Sequence, residues 1–130
     1  MKQKMLVISI LLLGTMHGFS TEIPGEIISA FKSGNAAQLA KYFNQTIELT
    51  LFDKEEIYSR TQAEIILRDF FSDNPPSQFQ IIHQGGKETS RYAIGSLVSG
   101  TNKYRITFLL KTVNAQVFIH QLRIEHEHAE

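Results

Sequence analysis

The chain has 130 residues, with 13 Lys+Arg against 13 Asp+Glu and no cysteine. A balance this close to neutrality excludes the basic footprint of a nucleic-acid-binding domain. The missing thiols exclude disulfide staples, thiolate metal sites and a cysteine nucleophile, so a single domain of this length has to be stabilised by packing.

The first twenty residues differ from the rest. Met1-Lys2-Gln3-Lys4 is a short basic head, and "MLVISILLL" over residues 5–13 is an apolar run too short to span a bilayer as a helix. Small and polar residues follow, with Gly18 and Ser20 at the −3 and −1 positions of a cleavage after Ser20. This three-part layout predicts a secretory signal peptide over residues 1–20 and one domain over residues 21–130. No cysteine stands at the cleavage point to carry a lipid, so the exported product is expected to have no stable membrane anchor and to be periplasmic or extracellular. Loss of Lys2 and Lys4 takes Lys+Arg from 13 to 11 against 13 Asp+Glu, a net charge of about −2.

Residues 21–33 are predicted to form the first helix. Pro24 suits its start, and Ile27, Ile28 and Phe31 recur at helical spacing. Gly34 is a natural left-handed stop. Asn35 is a preferred N-cap, with Gln38 three residues on to complete a capping box. Leu39, Ala40 and Phe43 supply the apolar face of a second short helix.

From Ile47 the period changes to two, which predicts a strand over residues 47–52. A charged turn over residues 53–56 and a weak strand over residues 57–60 follow. Thr61 with Glu64 reads as the capping box of a third helix, with Ala63, Ile66, Leu67 and Phe70 as its apolar face. Asp73-Asn74-Pro75-Pro76 ends it, because proline cannot continue a helix.

The remainder reads as strands over residues 79–83, 92–98, 103–112 and 116–125, with Gly85-Gly86 as a turn signal. Tyr104, Ile106, Phe108 and Leu110 share one face. Phe118, His120, Leu122 and Ile124 share one face of the last strand. The short links imply hairpins in an antiparallel meander. Helices grouped ahead of such a sheet predict an α+β layer fold. Apolar Ile82, Leu97, Leu109, Val117 and Ile119 are assigned to the opposite sheet face. A face that apolar needs cover, which predicts a homodimer through the sheet.

The element order, with Ala30, Phe31, Gly34, Asn35, Leu39, Ala40 and Phe43 at the first helix junction, resembles the nuclear transport factor 2-like fold. The resemblance implies three helices packed on a curved antiparallel sheet, forming a cone with a cavity. "GNAAQLAKYF" and "FIHQLRIE" further resemble small exported single-domain members of unknown function in gram-negative bacteria. Ketosteroid isomerases of this fold use a Tyr and two Asp. The matching positions here are Ile27, Leu51 and Ile106 or Thr107, which lack the needed groups, so the resemblance does not carry that chemistry over.

His120 is the foremost candidate for a site, because its reference pKa lies near neutrality. Tyr104, Tyr42 and His83 are the other candidate ligand-binding residues, and no catalytic residue is assigned. Glu125-His126-Glu127-His128 places two imidazoles on one strand face, yet near the chain end and without further clustered donors, so no metal and no cofactor are expected. The expected role is non-enzymatic binding of a small apolar ligand or a protein partner. The alternatives are a small dehydratase- or isomerase-type cavity enzyme using His120, or a structural homodimer module.

Overall fold

The computed structural model describes residues 23–127, so the expected leader lies outside the described residues. Helix α1 (Gly25–Ser33) starts at Pro24, whose carbonyl accepts the amides of Ile27 and Ile28. It buries Ile27, Ala30 and Phe31, and it stops at Gly34 in the left-handed region, φ 64°. The amides of Gly34 and Asn35 then turn back to the carbonyls of Phe31 and Ala30. Helix α2 (Ala36–Ala40) begins where Asn35 Oδ1 accepts the Gln38 amide at 3.0 Å. Only this half of the predicted box forms, because the Asn35 amide is already taken by Ala30.

Strand β1 (Phe43–Leu51) turns through Phe52-Asp53 into β2 (Lys54–Ser59). Both are longer than predicted, and the expected charged turn is mostly strand. Helix α3 (Arg60–Asp73) starts two residues earlier than predicted. Its capping box is Ser59 with Gln62, while Glu64 pairs with Arg68 at 2.7 Å. Four strands complete the chain: β3 (Gln78–Lys87), β4 (Ser90–Ser99), β5 (Asn102–Val113) and β6 (Gln116–His126). Asn114 and Ala115, at φ 50° and 63°, join β5 to β6. Two successive positive φ values match the right-handed twist of the flanking strands.

The sheet order is β2-β1-β6-β5-β4-β3. The α+β class and the meander are as predicted, but the sheet is mixed: β1 runs parallel to β6, and all other neighbours are antiparallel. The start of β1 is pinned where the Ile119 amide donates to the Tyr42 carbonyl at 2.7 Å. The sheet does not close on itself; β2 and β3 are its edges.

The glycine pair does not turn. It lies within β3, and the link to β4 is Glu88-Thr89. Gly86 is needed there: its φ is 113°, and a Cβ would stand 2.4 Å from the Ser90 carbonyl oxygen.

The core fills the space between helices and sheet. The Phe31 ring stacks on Phe79 at 4.8 Å and on Phe108 at 5.5 Å, and meets Phe71 edge-on at 6.5 Å. Tyr104, Ile106, Phe108 and Leu110 all face this core, as predicted. The last strand departs from the predicted phase. Its register against β5 slips between Leu109↔Gln121 and Leu110↔Ile119, leaving His120 as the extra residue of a β-bulge. Past such an insertion every side chain changes face. Ile119 is therefore buried with Leu122 and Ile124, whereas Phe118 pairs with Lys111 and lies outside the core. Leu97 is also fully buried and Val117 packs against the core, so Leu97, Val117 and Ile119 leave the predicted outer apolar set.

Candidate functional site

The four residues singled out from sequence occupy separate places. Tyr104 is 3% exposed, and its hydroxyl donates to Asn74 Oδ1. Tyr42, just ahead of β1, donates to Glu26 Oε2 of α1 at 2.6 Å. That hydrogen bond, more than burial, raises the phenol above its ordinary pKa. His83 on edge strand β3 lies with Nε2 2.9 Å from the Tyr92 hydroxyl, on the sheet face away from the helices.

His120 sits in the β6 bulge. Its Nε2 is buried and has no hydrogen-bond partner among the described residues. Desolvation, then the nearby Lys111 ammonium, lowers its pKa below the ordinary imidazole value. Among the described residues no second group orients this nitrogen. Among the described residues no cluster of three His, Asp or Glu is placed to hold a metal ion.

Two concave regions stand out instead, one on each face of the sheet. A groove of about 300 Å³ crosses the outer face over β2, β1, β6 and β5. Alternation along paired strands brings Glu48, Glu55, Arg105, Arg123 and Glu125 into it. Glu48 accepts from Gln121 Nε2 at 3.0 Å, and Arg123 reaches Glu125 at 3.4 Å. Hydrogen bonding to Glu48, then its like charge, raises the Glu55 carboxyl above its ordinary pKa. Arg105 has no ion pair among the described residues. None of the four sequence candidates lines this groove. The signal that finds it is the period-two run of charges on β6, Arg123 and Glu125, beside Arg105 on β5.

A second groove, of about 240 Å³, opens on the helix side between α3 and the β1–β2 hairpin. Leu49, Leu51, Phe52, Tyr58 and Ile66 line it, with Lys54 as its single charged residue. Sequence reasoning passed over it because residues 53–56 read as a charged turn and residues 57–60 only as a weak strand.

The chain matches the family model of the Domain of unknown function (DUF4783) over residues 24–125. No curated protein matches it. A DUF4783 family protein from Bacteroides ovatus is 32% identical, with a TM-score of 0.79, over 84% of this chain and 99% of that one. One from Bacteroides uniformis is 30% identical, TM-score 0.77, over 83% and 100%. An NTF2-like protein of unknown function from Shewanella baltica, 13% identical with a TM-score of 0.61 over 81% and 88%, shares the fold alone. Family model, relatives and architecture agree: the chain belongs to the DUF4783 family and has a nuclear transport factor 2-like fold.

Proposed function

We propose that the chain is an exported, non-catalytic binding domain that works as a two-fold homodimer through the outer face of its sheet. The observation that carries this reading is the contrast between the two sides. The space under α1 is filled by the Phe31, Phe79 and Phe108 rings, whereas the outer face holds an open groove of about 300 Å³ lined by charges of both signs. Export is supported by the basic head and apolar run of residues 1–13.

The occupant of the outer face is a second copy of this chain, because the face is complementary to itself. A two-fold interface places each patch against its own image. Arg105 and Glu125 are register partners on β5 and β6, and Lys103 precedes Arg105 on the same face where Glu127 follows Glu125. An axis running along the strands between β5 and β6 sets the unpaired Arg105 of each copy opposite Glu125 of the other. It also sets Glu55 of β2 over His83 of β3. Like charges are kept apart, and the two-fold repeats the Arg105–Glu125 pairing.

Light scattering at micromolar concentration is expected to give twice the chain mass. Arg105→Glu should return the single-chain mass, and Arg105→Glu with Glu125→Arg should restore the dimer. A single-chain mass for the unmutated protein overturns the dimer. Mass spectrometry of the exported protein should find its first residue after position 20; intact Met1 overturns export.

A further inference from the structure

We propose that the groove between α3 and the β1–β2 hairpin binds a small amphipathic monocarboxylate, its apolar body on Leu49, Leu51 and Ile66 and its carboxylate at Lys54 and Tyr58. The inference rests on the reading of this chain as a binding domain and names a ligand class for a different face from the dimer surface.

Size comes first. The groove holds about 240 Å³, the volume of roughly eight waters at about 30 Å³ each. That is below the range of drug-sized sites and suits a medium-chain or single-ring molecule. Chemistry comes second. Leu49 is fully buried and forms the floor, while Leu51, Phe52, Tyr58 and Ile66 are only partly covered, so apolar surface is left for a ligand to remove from water.

The polar groups are donors. Lys54 and Tyr58 lie on the same face of β2, since Lys54 pairs with Leu51 and Tyr58 with Ile47, both of which face the helices. The Tyr58 hydroxyl makes no hydrogen bond to a described residue. Glu56 pairs with Leu49 and so stands on that face between Lys54 and Tyr58, but its side chain is 53% exposed, meets Lys54 Nζ only at 3.9 Å and is not among the lining residues. An ammonium and a phenol at the rim of an apolar groove select an anionic head with acceptor oxygens.

Phe52 gives the groove a fixed wall. Its φ is 57°, a conformation that bulky L residues rarely adopt. The surroundings hold it there: its amide donates to the Ile124 carbonyl at 2.9 Å, and its ring stacks on His126 at 4.4 Å. The two-residue turn that joins β1 to β2 accounts for its positive φ.

Octanoate and 1-octanol are the probes, followed by methyl NMR on the full-length mature protein. Octanoate is expected to saturate at one per chain and to shift the methyls of Leu49, Leu51 and Ile66. Lys54→Gln should weaken octanoate about three- to fivefold, the scale of an exposed charge pair, and leave octanol unchanged. Ile66→Trp should abolish binding of both. Should that variant fail to fold, the exposed Lys54→Gln still decides the matter. No methyl shift at millimolar octanoate, shifts confined to other residues, or equal weakening of octanoate and octanol by Lys54→Gln overturns the proposal. The chain mass is read on the same sample: a dimer that takes up no octanoate overturns this inference alone, and a monomer that binds octanoate overturns only the dimer.

Discussion

The Tyr104 hydroxyl donates to Asn74 Oδ1 over 2.5 Å, tying the middle of the sheet to the end of α3. The Tyr104 ring lies edge-on to Phe70 at 5.3 Å, and Asn74 Nδ2 returns to the Phe70 carbonyl at 3.1 Å. Ser99 Oγ donates to the Pro75 carbonyl at 2.8 Å a little further along. The helix stop at Asn74-Pro75-Pro76 is therefore fastened to β4 and β5 by side chains, which accounts for the burial of a tyrosine that sequence marks as a ligand candidate.

Tyr104→Phe keeps the ring and removes the donor. The bond is part-buried, so its loss costs about 0.5–1.5 kcal/mol. Urea denaturation should show that loss with an unchanged slope. In a double-mutant cycle with Asn74→Ala, the two losses should fail to add, because they remove one bond. Fully additive losses would show that the bond contributes nothing.

Two glycines test the packing in opposite directions. A Cβ on Gly95 would stand 2.5 Å from the Phe79 ring, which is buried and stacked on Phe31 and cannot withdraw. Gly95→Ala should cost about 1–3 kcal/mol by overpacking. A Cβ on Gly25 would meet nothing within 4 Å at the first position of α1. Gly25→Ala should gain about 0.4–1 kcal/mol, chiefly by restricting the unfolded chain. Thermal melts that rank the two variants the other way would refute this account of the sheet–helix interface.

The bulge histidine makes stability depend on pH. Burial and Lys111 lower the His120 pKa in the folded state, so the unfolded chain binds the proton more readily. Its contribution is complete above the ordinary value of 6.5 and is lost as pH falls from there toward the folded value. Melting temperatures measured from pH 8 down to pH 5 should fall for the unmutated chain, and His120→Gln should flatten the part of that fall that begins near 6.5. Parallel curves for the two proteins would contradict the assignment.

Some of this structure is legible residue by residue. The junction at "FKSGNAAQLAKYF" reads correctly because its chemistry is local. Gly34 takes the left-handed stop, and Asn35 caps the next helix, each within five residues of its partner. The core face of β5 is equally plain, since strict alternation of Tyr104, Ile106, Phe108 and Leu110 admits one phase. The start of α3 is missed by two residues because Ser59-Gln62 and Thr61-Glu64 are both well-formed capping boxes. The choice between them falls to β2, which carries the chain up to Ser59.

The amino-acid order by itself determined the α+β class, the junction of the first two helices and the meander, because caps, turns and periodicity act over a few residues. Only the tertiary structure decided which face His120 and Ile119 occupy, that β1 runs parallel to β6, and that Gly85-Gly86 continue β3. It also gathered Leu49, Phe52, Tyr58 and Ile66 into one groove. The physical reason is register. A single inserted residue reverses every later side chain in a strand, and strand partners far apart in sequence are chosen by packing, which no local pattern records.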